Sequence, residues 1–194
     1  MTAGRLSADL MPVFVPSSGR SVFDRAPGWL NPCRAQEGDA PKFPQIVVVR
    51  EAEGDRYRGC APHFCVLTLP DEEPAEHVTY GLLRTGELGI GFNRSCILGA
   101  ARALGCPRVL MLDDSIHSWQ QLTFRAGGRA TRRVVSLCRV FQGLRDMGFH
   151  EGRHAAVGFV RARPELSHAK RAFKRAYLSS AFALDLERLR AEGV

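Results

Sequence analysis

Arg108-Val109-Leu110-Met111-Leu112-Asp113-Asp114-Ser115-Ile116 is the stretch on which the reading of the chain turns. Four apolar residues run together and then give way to two carboxylates and a hydroxyl. That is the pattern of a buried strand whose C-terminal end opens into a polar site. A carboxylate pair is costly to bury unpaired, so a cationic group is expected against it. In an open α/β sheet, ligands bind outside the carboxyl ends of the strands. The competing reading makes Asp113 and Asp114 the start of a turn or the cap of the next helix.

Immediately upstream, Gly89-Ile90-Gly91-Phe92-Asn93-Arg94 leads into Ser95-Cys96-Ile97-Leu98-Gly99-Ala100-Ala101-Arg102-Ala103-Leu104. Ile97, Ala100, Ala101 and Leu104 recur at helical spacing, and Asn93 or Ser95 is placed to cap the start. Gly105 suits the left-handed position after a helix. A helix feeding the Val109–Leu112 strand is half of a βαβ unit.

Further upstream, Met11-Pro12-Val13-Phe14-Val15-Pro16 is a short apolar strand, and Ser17-Ser18-Gly19-Arg20 follows as a turn. Small residues there let backbone N–H groups approach an anion, and Arg20 adds a charge. Met1 to Leu10 and about residues 24–42, the latter rich in Pro and Gly, are expected to be irregular. Ile46-Val47-Val48-Val49 suits a central parallel strand. Asp55-Arg56-Tyr57-Arg58-Gly59 is expected as a polar loop, His63–Pro70 as a third strand, and Asp71 to Glu76 as an acidic loop.

Downstream, a Gly-rich basic loop is expected over Arg125–Arg133, and an amphipathic helix over Val134, Leu137, Cys138, Phe141 and Leu144. Ala155–Val160 is another strand. His168–Tyr177 is very basic, Ser179–Leu186 is a strand or buried segment, and Asp185–Ala191 looks helical. Strands alternating with helices predict an α/β fold with a mostly parallel central sheet flanked by helices, in a single domain over residues 1–194.

The chain of 194 residues is 45% hydrophobic, enough for one sizeable core. Its apolar runs fall far short of the roughly 20 residues a membrane span needs, and its N-terminus has no signal-peptide pattern, so an intracellular protein is expected, away from membranes. The six cysteines form no Cys-x-x-Cys pair and are expected as reduced thiols, with Cys96 and Cys138 buried on apolar helical faces. Cys60, His63 and Cys65 lack a second ligand pair, so zinc is not read here.

The net charge of +7 is unevenly placed. Residues 1–124 hold 12 Lys and Arg against 14 Asp and Glu, whereas residues 125–194 hold 15 against 6. A basic C-terminal third suits a polyanionic partner such as nucleic acid, or equally a set of solvated helix faces. No Gly-x-Gly-x-x-Gly follows the first strand and no Gly-x-x-x-x-Gly-Lys-Ser/Thr occurs, which argues against a dinucleotide site or a P-loop.

Three features occur in order: a strand ending in Val-Pro-Ser-Ser-Gly-Arg, a Gly-Ile-x-x-x-Arg helix start, and an apolar strand ending in Asp-Asp-Ser. Together they resemble the GT-A glycosyltransferase fold over roughly residues 11–186. Within it, the chain is most similar to the TET/JBP-associated, base-J-type DNA glucosyltransferases, to which the glycosyltransferase domain of the oestrogen-regulated GREB proteins is related.

The resemblance implies transfer of a sugar from a nucleotide-sugar donor, with a UDP-sugar expected, to a hydroxyl acceptor such as a hydroxymethylated base in DNA. It places the donor nucleotide on Pro16, Ser17, Ser18 and Arg20, with Tyr57 stacking on or bordering the base. Asn93 and Arg94 would meet the nucleotide or diphosphate. Asp113 would bind ribose or sugar hydroxyls, and Asp114 would help hold a divalent cation, Mn²⁺ or Mg²⁺. Asp113 and Asp114 are thus the expected catalytic and metal-binding pair. The chain departs from many relatives of this fold at Ser115, where they carry a third acidic residue, and a hydroxyl is a weaker ligand.

A catalytic base is not assigned by sequence. Glu151, Glu165, His168 and Asp185 are candidates in the C-terminal third, and His117 and Trp119 lie beside the carboxylates. Two other classes fit the same residues: a nucleotidyltransferase of similar fold, and a non-catalytic relative that binds nucleic acid or protein.

Overall fold

The computed structural model describes residues 11–19, 44–60, 64–71, 90–116, 118–124, 130–159 and 181–193. Arg20, Cys33, His117, Glu165 and His168 lie outside them, as do the basic residues Lys170, Arg171, Lys174 and Arg175 and the two segments expected to be irregular.

The strands are β1 (Val13–Pro16), β2 (Gln45–Arg50), β3 (Cys65–Leu69), β4 (Arg108–Leu112), β5 (Trp119–Phe124), β6 (Ala130–Val135), β7 (Ala156–Gly158) and β8 (Ala181–Asp185). The helices are α1 (Gly54–Cys60), α2 (Ile90–Ala103), α3 (Leu137–Asp146) and α4 (Leu186–Ala191). Six strands form one sheet in the order β3-β2-β1-β4-β8-β7, and β5 and β6 form a separate two-stranded ribbon. β3, β2, β1 and β4 run parallel, and β8 runs antiparallel to both β4 and β7.

Strand alternation divides the core in two. Val13, Val15, Val47, Val49, Leu110, Leu112, Ala181 and Ala183 face Tyr57 of α1, Trp119, and Leu137 and Leu144 of α3. Phe14, Val48, Val109, Met111, Phe182 and Leu184 face Ile97 and Ala101 of α2 and Leu186 of α4. Both faces are covered, so these strands are apolar on successive residues, and that is why the sequence shows them as unbroken apolar runs. The mixed α/β fold expected from the sequence, with a mostly parallel sheet, is the one observed.

Four local expectations are corrected. Residues 55–59 are helical in α1: Tyr57 is fully buried, and Arg58 pairs with Asp55 at 2.5 Å, which holds a turn too short to show periodicity. α2 begins at Ile90, so Asn93 and Ser95 lie inside the helix and cap nothing. Arg132 and Arg133 belong to β6, not to a loop, and Val134 lies in the same strand. Cys138 is exposed and Cys96 half-buried; among the described cysteines only Cys106 is buried. Gly105 takes the left-handed conformation expected of it, at φ +67°.

Candidate active site

The chain runs outward from β1 through β2 to β3, then returns through α2 to lay β4 on the other side of β1. The gap between β1 and β4 is therefore a topological switch point, where open α/β sheets form a crevice at their carboxyl ends. Ser17 leaves β1 on one side of that gap, and Asp113 and Asp114 leave β4 on the other.

A short hydrogen bond crosses it. Ser17 Oγ donates to Asp114 Oδ2 at 2.6 Å. The Tyr57 hydroxyl lies 2.8 Å from the same Ser17 oxygen. A carboxylate only accepts, so the single Ser17 proton goes to Asp114, and Tyr57 donates to Ser17. Asp114 is 6% exposed and Ser17 4%. Ser17 N–H also bonds the Val48 carbonyl at 2.9 Å, and Gly19 N–H donates to Glu53 Oε1 at 2.6 Å, which ties the turn to the end of β2. Ser18 and Gly19 are exposed above this base.

The two aspartates face opposite ways, as strand alternation requires. Asp114 continues the row of Leu110 and Leu112 toward Tyr57, while Asp113 continues the row of Met111 toward α2. Asp113 is half-buried, and its Oδ1 accepts from both the Ser115 amide at 3.0 Å and the Ser115 hydroxyl at 2.8 Å. Ser115 thus orients Asp113. Arg94 supplies the cation on that side: burial pulls its guanidinium below the ordinary value, and the Asp113 carboxylate opposes the shift. The Arg94 guanidinium also lies over the Phe182 ring, 5.2 Å from its centroid.

Beside Arg94, Asn93 is 8% exposed, and its Oδ1 has no hydrogen-bond partner among the described residues. A buried acceptor of this kind suits a ligand that brings an N–H or a hydroxyl.

Pro16, Ser17, Ser18, Arg94, Asp113 and Asp114 therefore gather at the carboxyl ends of β1 and β4, with Asn93 next to Arg94 on α2. Tyr57 presents no ring face to a ligand, being wholly buried, and acts from beneath through its hydroxyl. Arg50 was not foreseen: it ends β2, lies 4.9 Å from the Phe92 ring centroid and donates to the Pro70 carbonyl. Its signal was the one Asp113 gives, a charge closing an apolar run. Of the candidate bases, Asp185 is buried, pairs with Arg108 at 2.9 Å and caps α4 through the Arg188 amide. Glu151 is exposed and pairs with Arg153 at 2.6 Å.

Over residues 11–189 the chain matches the TET-associated glycosyltransferase family. The chain belongs to that family. Membership makes it a glycosyltransferase by class, and the matched span takes in β1, the helix carrying Arg94, and the Asp-Asp-Ser turn. No curated protein matches the sequence. No helix among the described residues is long and apolar enough to cross a membrane.

Proposed function

We propose that the chain transfers a sugar from a nucleotide-sugar donor, a UDP-sugar, to a hydroxyl acceptor, a hydroxymethylated base in DNA. The observation that carries this reading is the Ser17–Asp114 bond across the β1/β4 switch point, because it joins the donor-loop candidates to the Asp-Asp-Ser turn where α/β sheets bind ligands. Family membership supports the glycosyl chemistry.

In this reading the exposed Ser18-Gly19 turn borders the nucleoside. Arg94 meets the diphosphate, and Asn93 Oδ1 accepts from a donor N–H or hydroxyl. Asp113, the more accessible carboxylate, faces the donor with Ser115 fixing its orientation, while Asp114 holds the β1 loop through Ser17. The acceptor oxygen attacks the anomeric carbon as the bond to the diphosphate breaks. The electron pair leaves with the nucleoside diphosphate, and the acceptor proton passes to a base. Arg94 stabilises the charge that gathers on the leaving group. A base in duplex DNA would have to be flipped out to present its hydroxyl.

A divalent cation fits this donor set modestly. Magnesium commonly takes one or two carboxylates together with phosphate oxygens. Asp113 would be its protein ligand, since Asp114 turns to Ser17 on the other face of the sheet, and the described residues contain no group of three acidic, His or Cys side chains to make a cage. Bound there, Mn²⁺ or Mg²⁺ would neutralise charge on the diphosphate.

A thermal-shift screen tests the reading. UDP-sugars should raise the melting temperature, more so with Mn²⁺, and Asp113→Asn should remove the Mn²⁺-dependent part of that gain. Stabilisation by CTP or ATP in place of UDP-sugars would overturn it in favour of nucleotidyl transfer.

A further inference from the structure

Away from the switch point, a cavity of about 270 Å³ opens where the β5–β6 ribbon meets α3, lined by Gln121, Arg133, Val134, Val135, Ser136 and Arg139. None of the donor-site residues lines it. We propose that this cavity is a second binding site, for a phosphate group of a polynucleotide backbone; the choice of polynucleotide rests on the DNA acceptor proposed above.

The ribbon register puts the arginine there. Trp119 pairs with Val135, and Gln121 with Arg133, so these four share one face. Trp119 and Val135 anchor that face in the core, and two residues farther along it emerges from the core as Gln121 and Arg133. Arg139, in the first turn of α3, closes the cavity from the other side. Two arginines, a glutamine and a serine among the residues lining one space match a phosphate, which guanidinium forks bind in bidentate fashion.

Among the described residues, no ion pair takes up either charge. The ion pairs Arg58–Asp55, Arg108–Asp185, Arg153–Glu151 and Arg188–Glu192 lie elsewhere on the described residues. From Ser115 to Arg145 the sequence has no Asp or Glu and six arginines: Arg125, Arg129, Arg132, Arg133, Arg139 and Arg145. Arg132 sits opposite Leu122 on the other ribbon face, so basic side chains flank both faces. A ribbon that only covered the core would put its charges on one face. A two-stranded ribbon with cations on both faces suits a groove bordered by phosphates.

The test is duplex DNA binding by the full chain across a salt series, comparing wild type with the double variant Arg133→Gln/Arg139→Gln. Both side chains are exposed, so the fold should survive, as circular dichroism would show. Losing one phosphate contact should weaken binding about tenfold at low salt and reduce the log–log salt slope by about one. The pair Arg145→Gln/Arg190→Gln removes the same charge elsewhere and should leave the slope near wild type. Unchanged affinity in the first variant, or an equal loss in the second, overturns the inference. A small-anion site is the other overturning result: inorganic phosphate would stabilise wild type and not the first variant, while duplex affinity ignored both arginines. The glycosyl-donor reading fails separately, if UDP-sugars leave the melting temperature of wild type unmoved.

Discussion

Ser17 Oγ lies 2.6 Å from Asp114 Oδ2, and this one hydrogen bond joins loops whose residues are 97 positions apart in the chain. With Tyr57 it makes a buried chain in which the Ser17 hydroxyl both accepts and donates. Ser17→Ala would leave the Asp114 carboxylate and the Tyr57 hydroxyl buried without this partner, at a cost of about 1–3 kcal/mol. Tyr57→Phe removes one donor and leaves Ser17 bonded to Asp114, so about 1 kcal/mol is expected. Urea unfolding of the two variants checks the order; a Ser17→Ala loss no larger than that of Tyr57→Phe would contradict it.

Much of this fold was legible because strands buried on both faces leave unbroken apolar runs, as Val47-Val48-Val49 and Val109–Leu112 do. The ribbon was not. β5 and β6 satisfy each other's backbone groups, and among their described side chains Trp119 and Val135, at one end, pack into the core. Their remaining positions need no apolar alternation and read as a loop. α1 was hidden for a different reason: seven residues hold one buried apolar contact, Tyr57, which gives no period to detect. In the site, the Asp-Asp-Ser turn was visible from residue types alone. The opposite facing of the two carboxylates follows from the period of two along β4. The Ser17–Asp114 bond depends on β4 pairing with β1, a neighbour relation that local pattern does not contain.

Asp185 is the buried acid with the most structural employment. Its Oδ2 takes Arg108 Nε and its Oδ1 takes the Arg188 amide, both at 2.9 Å. Asp185→Ala would strand a largely buried guanidinium at a cost of about 3–5 kcal/mol and remove a helix cap worth about 1 kcal/mol. The expected result is a large fall in unfolding free energy. A stable Asp185→Ala protein with transfer abolished would instead return Asp185 to the list of catalytic bases.

Gly105 joins α2 to the strand that carries the aspartates, at φ +67° with open space around the position a Cβ would take. Gly105→Ala therefore tests backbone strain without a clash. About 1–2 kcal/mol of destabilisation is expected, and less for Gly105→Asn, since asparagine tolerates this conformation better. Equal losses for the two would point to some cause other than backbone strain.

The cysteines should separate by burial. Cys65 and Cys138 are exposed, whereas burial pushes the Cys106 thiol above its ordinary range. Alkylation of the native protein followed by peptide mapping should label Cys65 and Cys138 first and Cys106 only on unfolding. The sign of the linkage follows from the raised folded-state value. The contribution of the Cys106 thiol to stability is present in full below the pKa of the unfolded thiol and is lost as pH rises through the folded one. Early labelling of Cys106 at neutral pH would show that this core opens readily.

Arg94 and Asp113 share the α2 side of the sheet at its carboxyl end, and their electrostatic coupling makes them the sharpest probe of donor binding. At a hundredfold excess over its Kd, a ligand specific to the folded state adds about 2.7 kcal/mol. Arg94→Gln should lose most of that gain with a UDP-sugar, because the diphosphate loses its cation. Asp113→Asn should lose the Mn²⁺-dependent part while keeping a residue of Mn²⁺-free binding. Asp114→Asn should act differently, lowering the stability of the free protein through Ser17 before it affects the donor. Titrating donor-induced melting shifts for the three variants separates these roles. If Asp114→Asn, and not Asp113→Asn, removes the metal-dependent gain in a protein of otherwise normal stability, the buried carboxylate is the cation ligand and the two roles must be exchanged.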